Sequence, residues 1–252
     1  MSGPTLSVVI PAYNEARRLP ATLARVHEHL AVRGVAHEIL VVDDGSADAT
    51  ADLARAAGDP VRVLRHEPNR GKGYAVRRGM LAATGERRLM TDADLSTPIE
   101  ELARLEAEID RGFDVAIGSR AVAGARIEVH QPAYREAMGR LFNLLVQALL
   151  LPGLADTQCG FKLFTAAAAE AAFRACRLDG FSFDVEALYV ARRRGLRVAE
   201  VPIVWRNDAA TRVGLGGGSA AFADLLRIRL LALRGAYGPR GSGDPRGGGG
   251  GT

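Results

Sequence analysis

The sequence predicts an α/β fold, a single mostly parallel sheet flanked by helices, and three observations predict it. Short apolar runs of strand length alternate with segments whose apolar residues recur every three to four positions. Two of these runs end on paired aspartates, Asp43-Asp44 and Asp92-Ala93-Asp94, at the edge where open α/β sheets take their ligands. The chain has 252 residues, 48% of them hydrophobic, enough to bury the core of one large domain.

The elements follow in order. Residues 6–10 read as a strand, and Leu19, Leu23, Val26 and Leu30 then mark one face of a helix. Residues 38–42 form the next strand, followed by a helix that Asp48 is placed to cap. A strand at 61–64, a helix at 73–84 stopped by Gly85, a strand at 87–91, a helix at 99–110 and a strand at 113–117 continue the alternation. Past Arg120 the pattern turns helical: 133–151, 166–176 and 184–194. Residues 198–205 are β-rich, and Pro202 within them points to a sheet edge. A Gly-rich loop at 214–218 leads into a basic helix at 220–234, and 237–252 reads as a disordered Gly-rich tail. The predicted globular domain is 1–236, with a donor half at about 5–118 and an acceptor half at about 119–236.

Composition narrows the partners. The formal charge is +4, which admits an anionic partner, but the basic residues are scattered and only 6% of residues are aromatic, so no nucleic-acid platform is expected. Of the 33 basic residues only Lys72 and Lys162 are lysines. Cys159 and Cys176 form no CxxC pair and have no His at ligand spacing, so neither a disulfide framework nor a zinc site is suggested and a reducing, cytoplasmic compartment is expected. The longest apolar stretch, 141–151, falls well short of the roughly 20 residues a bilayer span needs, so the expectation is a soluble or peripheral protein.

Nucleotide-binding signatures of the usual kinds are absent. Pro11-Ala12-Tyr13-Asn14-Glu15 follows the first strand in place of G-x-G-x-x-G, and Gly71-Lys72-Gly73 lacks the rest of a P-loop. Asp92 and Asp94 offer hard oxygen ligands to Mg²⁺ or Mn²⁺ bridging a diphosphate. Taken alone, the same D-x-D is better explained by Asp94 or Ser96 capping the helix that begins near Pro98.

The combination carries more. S-V-V-I-P-A-Y-N-E, V-V-D-D-G-S, N-R-G-K-G and D-A-D stand in the order and spacing of the large inverting glycosyltransferase family 2 with the GT-A fold, and the resemblance covers residues 5 to about 215. It implies that Pro11, Tyr13, Glu15 and Asp43 contact the nucleoside with Lys72 near it, and that Asp92 and Asp94 take the metal. Further on, Gly118-Ser119-Arg120, the D-T-Q-C-G-F-K-L-F stretch from Asp156 and Phe183-Asp184-Val185-Glu186 resemble the polyprenyl-phosphate sugar transferases. The T-Q-C-G-F-K-L-F run is most similar to the dolichyl-phosphate β-glucosyltransferase group, whose donor is UDP-glucose. Mannose transferases of the same group, which use GDP-mannose, often carry Gln where Ser96 stands here.

That resemblance implies metal-dependent, inverting transfer of glucose to a lipid monophosphate. Such a phosphate is already an anionic nucleophile near neutral pH and needs no general base. Arg120, Arg135 and Arg212 are the candidates for holding it, and Asp94, Arg120 and Lys72 for acting on the reacting groups. A soluble hydroxyl acceptor would instead require Asp184 or Glu186 as base. Asp156 and Gln158 read either as a turn or as orienting groups. The apolar-and-basic pattern of 141–151 and of the final helix suits the inner, cytoplasmic face of a membrane, while core packing or contact with a second copy fits 141–151 equally well.

Overall fold

In the computed structural model, residues 3–130, 132–207 and 216–238 are described, with side chains from 221 onward in the last segment. Seven strands form one sheet: β1 (Leu6–Ala12), β2 (His37–Asp43), β3 (Val61–Arg65), β4 (Arg87–Thr91), β5 (Val115–Ser119), β7 (Phe161–Thr165) and β8 (Val198–Pro202). Their order is β3-β2-β1-β4-β7-β5-β8. All neighbours are parallel except around β7, which runs antiparallel to β4 and to β5. A separate ribbon pairs β6 (Arg126–Val129) with β9 (Val204–Arg206).

β1 and β2 are apolar on both faces because helices cover both sides of the sheet. Successive residues alternate between two cores: Val9, Leu40 and Val42 face one side, and Val8, Ile10, Ile39 and Val41 the other. On the second side lie α1 (Leu19–Val32), burying Leu19, Leu23, Val26 and Leu30, and α4 (Leu102–Asp110), burying Leu102, Leu105 and Ile109. A short 3-10 turn at Ile99–Glu101 precedes α4, and α2 (Thr50–Ala56) joins β2 to β3. On the first side lie α3 (Lys72–Ala82), α5 (Ala133–Leu149), α6 (Ala166–Phe173), α7 (Phe183–Arg193) and α8 (Gly216–Leu233).

Several expectations change. The expected single sheet gains a strand, β7, and a second small sheet, since neither β6 nor β7 was anticipated. Lys162 interrupts the apolar run of β7, which hides it from pattern reading. The expected run at 198–205 breaks at Ile203: β8 lies at the sheet edge, as Pro202 required, and β9 leaves to pair with β6. Asp48 accepts bonds from the Thr50 backbone and hydroxyl instead of capping the helix at its N-cap position. Tyr237 is fully buried, so the ordered packing reaches past the expected tail boundary at 237. Along α5 only Phe142 and Val146 are buried, while Leu141, Leu144 and Leu149 are exposed.

Candidate active site

The C-terminal ends of β1, β2 and β4 lie side by side, because these strands are parallel neighbours. Pro11, near the end of β1, is half-buried, and Tyr13 just past it is exposed. Asn14 takes a left-handed conformation (φ 55°) that ties this loop to the next: its N–H donates to Ser46 Oγ (2.9 Å), and its side-chain oxygen accepts from Ala47 N–H (2.9 Å). Glu15 binds Arg18 through both carboxylate oxygens (2.6 and 2.8 Å) and donates its backbone N–H to Thr50.

At the end of β2 the two aspartates divide their work. Asp43 is fully buried, its Oδ1 accepting a bond from Ser46 N–H at 3.3 Å. Its Oδ2 accepts no hydrogen bond among the described residues, with Arg65 Nε 3.3 Å away. Asp44 is saturated: it accepts from the Arg70 and Gly71 backbone N–H groups (each 2.8 Å) and from Asn69 Nδ2 (2.9 Å), and its Oδ1 lies 2.6 Å from His66 Nε2. Asp44 therefore shapes the loop that delivers Lys72, a role that the run V-V-D-D-G-S does not separate from that of Asp43.

Lys72, at the start of α3, reaches across to Asp92 after β4, with Nζ 2.6 Å from Oδ1. Burial works against the ammonium charge, but Asp92, with Asp184 behind it, outweighs this and pushes its pKa up to about 12. Asp94 accepts the Ser96 backbone N–H at 2.9 Å, the turn-forming contact that the sequence left open, and Leu95 beside it has a φ of 47°. Burial, then repulsion from Asp92, raise the Asp94 carboxyl above its ordinary range.

Gly160 backs onto this pair. A Cβ at that position would lie 2.0 Å from Asp92 Oδ2, so only glycine lets the carboxylate sit where it does. Lys162, the second lysine, is fully buried, donating to Asp184 Oδ1 (2.6 Å) and to the Cys159 carbonyl. Burial raises the Asp184 carboxyl even though Lys162 opposes the shift. Glu186 is also fully buried and accepts the Arg177 and Leu178 N–H groups and the Tyr237 hydroxyl.

On the far side of β7, Arg120 follows β5. Its Nε and Nη2 grip Asp156 (2.7 and 2.9 Å), its backbone N–H adds a third bond (3.0 Å), and its guanidinium lies 5.2 Å from the Trp205 ring. Burial would raise Asp156, but Arg120 holds it below the usual carboxylate range. Glu200 fixes this loop by accepting the Ala155 and Asp156 N–H groups. Gln158 donates its backbone N–H to Asp156. Arg135 lies half-exposed on the first turn of α5, 6.0 Å from the Tyr134 ring. Arg212 falls outside the described residues. Beside Asp94 opens a cavity of about 660 Å³ lined by Arg17, Arg18, Arg25, Ser96 and Arg206 among others. Glu15, Glu100 and Glu128 already pair with Arg18, Arg25 and Arg206.

The described residues contain no group of three or more His, Cys, Asp or Glu side chains placed to hold a metal. Asp92 and Asp94 would suit a divalent cation as hard oxygen ligands, with the remaining ligands coming from outside the protein. The Asp94 carboxyl is raised by burial and then by repulsion from Asp92, and such an ion would offset both.

A parallel sheet with one antiparallel insertion, and carboxylates and a lysine meeting at its strand ends, defines a nucleotide-sugar transferase of the GT-A type. Its fold is similar to the crystal structure of Mycobacterium tuberculosis glucosyl-3-phosphoglycerate synthase in complex with Mn²⁺, UDP-glucose and phosphoglyceric acid. The TM-score is 0.68 at 21% identity, over 96% of this chain and 82% of that one. Residues 7–173 match the Glycosyl transferase family 2 model, and the chain belongs to that family. It is 36% identical over 249 residues to human dolichyl-phosphate beta-glucosyltransferase (92% of this chain, 77% of that protein). To the Drosophila melanogaster protein of the same name it is 38% identical over 249 residues (92% and 76%).

Proposed function

We propose that this glycosyltransferase moves glucose from UDP-glucose to a polyprenyl phosphate of the dolichyl type, with inversion, giving a β-linked lipid phosphosugar. The observation that carries the acceptor class is the state of the carboxylates. Asp156 is held by Arg120, Asp184 by Lys162, and Glu186 by two backbone N–H groups and Tyr237. A hydroxyl acceptor needs a free base, whereas a phosphomonoester, with its second pKa near 6, arrives already ionised. The relatives' names support the same acceptor.

In this reading Pro11, Tyr13, Glu15 and Asp43 hold the nucleoside, and Asp43 Oδ2, which among the described residues has the Arg65 ion pair but no hydrogen bond, suits the N–H of a nucleobase. Asp92 and Asp94 would hold Mg²⁺ or Mn²⁺, which when bound neutralises the leaving diphosphate. Lys72 adds charge stabilisation there. A phosphate oxygen of the acceptor forms the new bond to the anomeric carbon from the face opposite UDP. The old C–O bond breaks and its electron pair leaves on the diphosphate. Arg120, through the Nη1 edge that Asp156 does not use, Arg135 and Arg212 bring the acceptor phosphate in against its charge repulsion.

No helix among the described residues is long and apolar enough to cross a membrane. Lipid is reached instead through α5 and α8, which meet at Phe142 and Phe222 (ring centroids 5.5 Å apart) and expose Leu141, Leu144, Leu226 and Leu230. With Arg227 and Arg229 interleaved on α8, this face suits the anionic inner surface of a membrane, as a peripheral attachment on the cytoplasmic side.

The test offers the purified protein labelled nucleotide sugars with Mg²⁺ or Mn²⁺, with and without a short polyprenyl phosphate. Label should enter the organic phase from UDP-glucose alone. Transfer from GDP-mannose would make it a mannosyltransferase, and transfer only to soluble hydroxyl compounds would overturn the lipid acceptor. Co-flotation with anionic but not neutral vesicles checks the membrane face, and concentration-dependent association without flotation would assign that face to a second copy.

A further inference from the structure

Glu186 and Tyr237 lie outside the catalytic groups, yet a continuous set of contacts joins them to Lys72. Glu186, fully buried on α7, accepts the Arg177 N–H with both oxygens (2.9 Å each) and the Leu178 N–H with one (2.8 Å). This fixes the segment 177–180 from beneath. The upper side of that segment is the seat of the α3 start. The Asp179 carbonyl accepts Tyr74 N–H (3.2 Å), and the Asp179 carboxylate takes Arg77 (2.7 Å) and Arg70 (3.4 Å). The fit leaves no slack: a Cβ on Gly71 would lie 2.5 Å from the Asp179 carbonyl oxygen, and one on Gly73 would lie 2.8 Å from that of Leu178. Lys72 stands between those two glycines.

We infer that Glu186 is a positioning residue for Lys72, acting through segment 177–180, and that Tyr237 completes the support from the far end of the described chain. The Tyr237 hydroxyl donates to Glu186 Oε1 at 2.7 Å from a fully buried ring. The bond saturates the lobe of the carboxylate that Leu178 does not use. Asp44 holds the other flank of the turn through Arg70 and Gly71 N–H. Lys72 is thus aimed by two carboxylates, neither of which touches it. The consequence for donor binding rests on the reading that Lys72 meets the UDP diphosphate.

The chain's two lysines make the inference measurable. Lys72 is partly exposed and Lys162 buried, so limited acetylation with acetic anhydride, read by mass spectrometry, reports the freedom of Lys72 with Lys162 as internal reference for global opening. Glu186→Gln, which turns an amide N–H toward groups that donate, should speed Lys72 acetylation about tenfold with Lys162 still protected, and weaken UDP binding about as much. Tyr237→Phe should move both in the same direction by about threefold. It decides the matter if Glu186→Gln fails to fold. An unchanged Lys72 rate in folded variants, or both lysines speeding together, overturns the inference. A faster Lys72 with unaltered UDP affinity upholds the positioning and removes Lys72 from the donor site. Loss of lipid-directed transfer in the unmutated protein bears on the acceptor and leaves these readouts intact.

Discussion

Two lysine–aspartate pairs have the same 2.6 Å separation, and they differ in how far each is enclosed. Lys72 and Asp92 keep 25% and 32% of their side-chain surface exposed, whereas Lys162 and Asp184 keep 2% and 6%. The exposed pair joins the loop after β4 to the start of α3, and in the proposed function it trades its mutual attraction for that of an incoming diphosphate. The enclosed pair ties β7 to α7 away from solvent, where the charges of Lys72 and Asp92 also reach Asp184. Distance alone does not separate the two pairs; access to solvent, and so to an incoming ligand, does.

The largest expected effect tests the enclosed pair. Lys162→Met strands the Asp184 carboxylate and should cost about 3–5 kcal/mol of stability, seen as a lowered midpoint in urea unfolding. A small loss would mean that Asp184 takes up a proton at little cost and that the pair is not architectural. Next comes Asp94→Ala, expected to abolish turnover while circular dichroism stays native; an active variant would remove the metal role. Lys72→Met, the exposed counterpart of the first change, should fold normally and lose about 10²–10³ in kcat/KM, since a group that stabilises developing charge is gone. Comparable losses of stability in the two lysine variants would erase the contrast. Gly160→Ala should then reduce kcat/KM by about 10² by displacing Asp92, with the apparent metal affinity weakened alongside. A fully active variant would show that Asp92 has room to move.

The smallest effect lies away from both pairs. Glu38 is buried, which would raise its carboxyl, but bonds from Ser7, Thr84 and Arg62 lower it below 4.5 on balance. A depressed folded value contributes stability above the unfolded one and loses it as pH falls, so this contribution fades below about pH 4.5. Glu38→Gln should cost about 1–2 kcal/mol at pH 7 and flatten the acid limb of the stability profile. An unaltered acid limb would place the acid sensitivity elsewhere.

Much of the donor side could be read from residues in order, because its strands are consecutive parallel neighbours and each motif sits at the end of its own strand. Asp43, Lys72, Asp92 and Asp94 fall where the alternation puts them. The rest depends on contacts between distant segments. β7 is disguised by Lys162, whose charge makes sense only beside Asp184, on a helix that comes later in the chain. Glu186 stands in an acidic pair whose role the sequence leaves open, and its contacts with Arg177, Leu178 and Tyr237 come from outside its own helix. Tyr237 itself sits at the edge of a Gly- and Arg-rich stretch, where composition gives no hint of burial. Arg120 was singled out as a bare cation, and its partner Asp156 became visible only once β7 brought the two loops together.

The antiparallel course of β7 also works as a spacer. Because it lies between β4 and β5, the loops carrying Asp92 and Arg120 stand two interstrand steps apart, about 10 Å. That gap is on the scale of one hexose with room for a phosphate on each side. Running against its neighbours, β7 starts at this edge, so the loop that feeds it touches both jaws: Asp156 takes Arg120, and Gly160 lies against Asp92. A single five-residue stretch, Asp156 to Gly160, therefore touches both loops, and under the proposed function a residue inserted within it should change which sugars are accepted before it changes how any of them react.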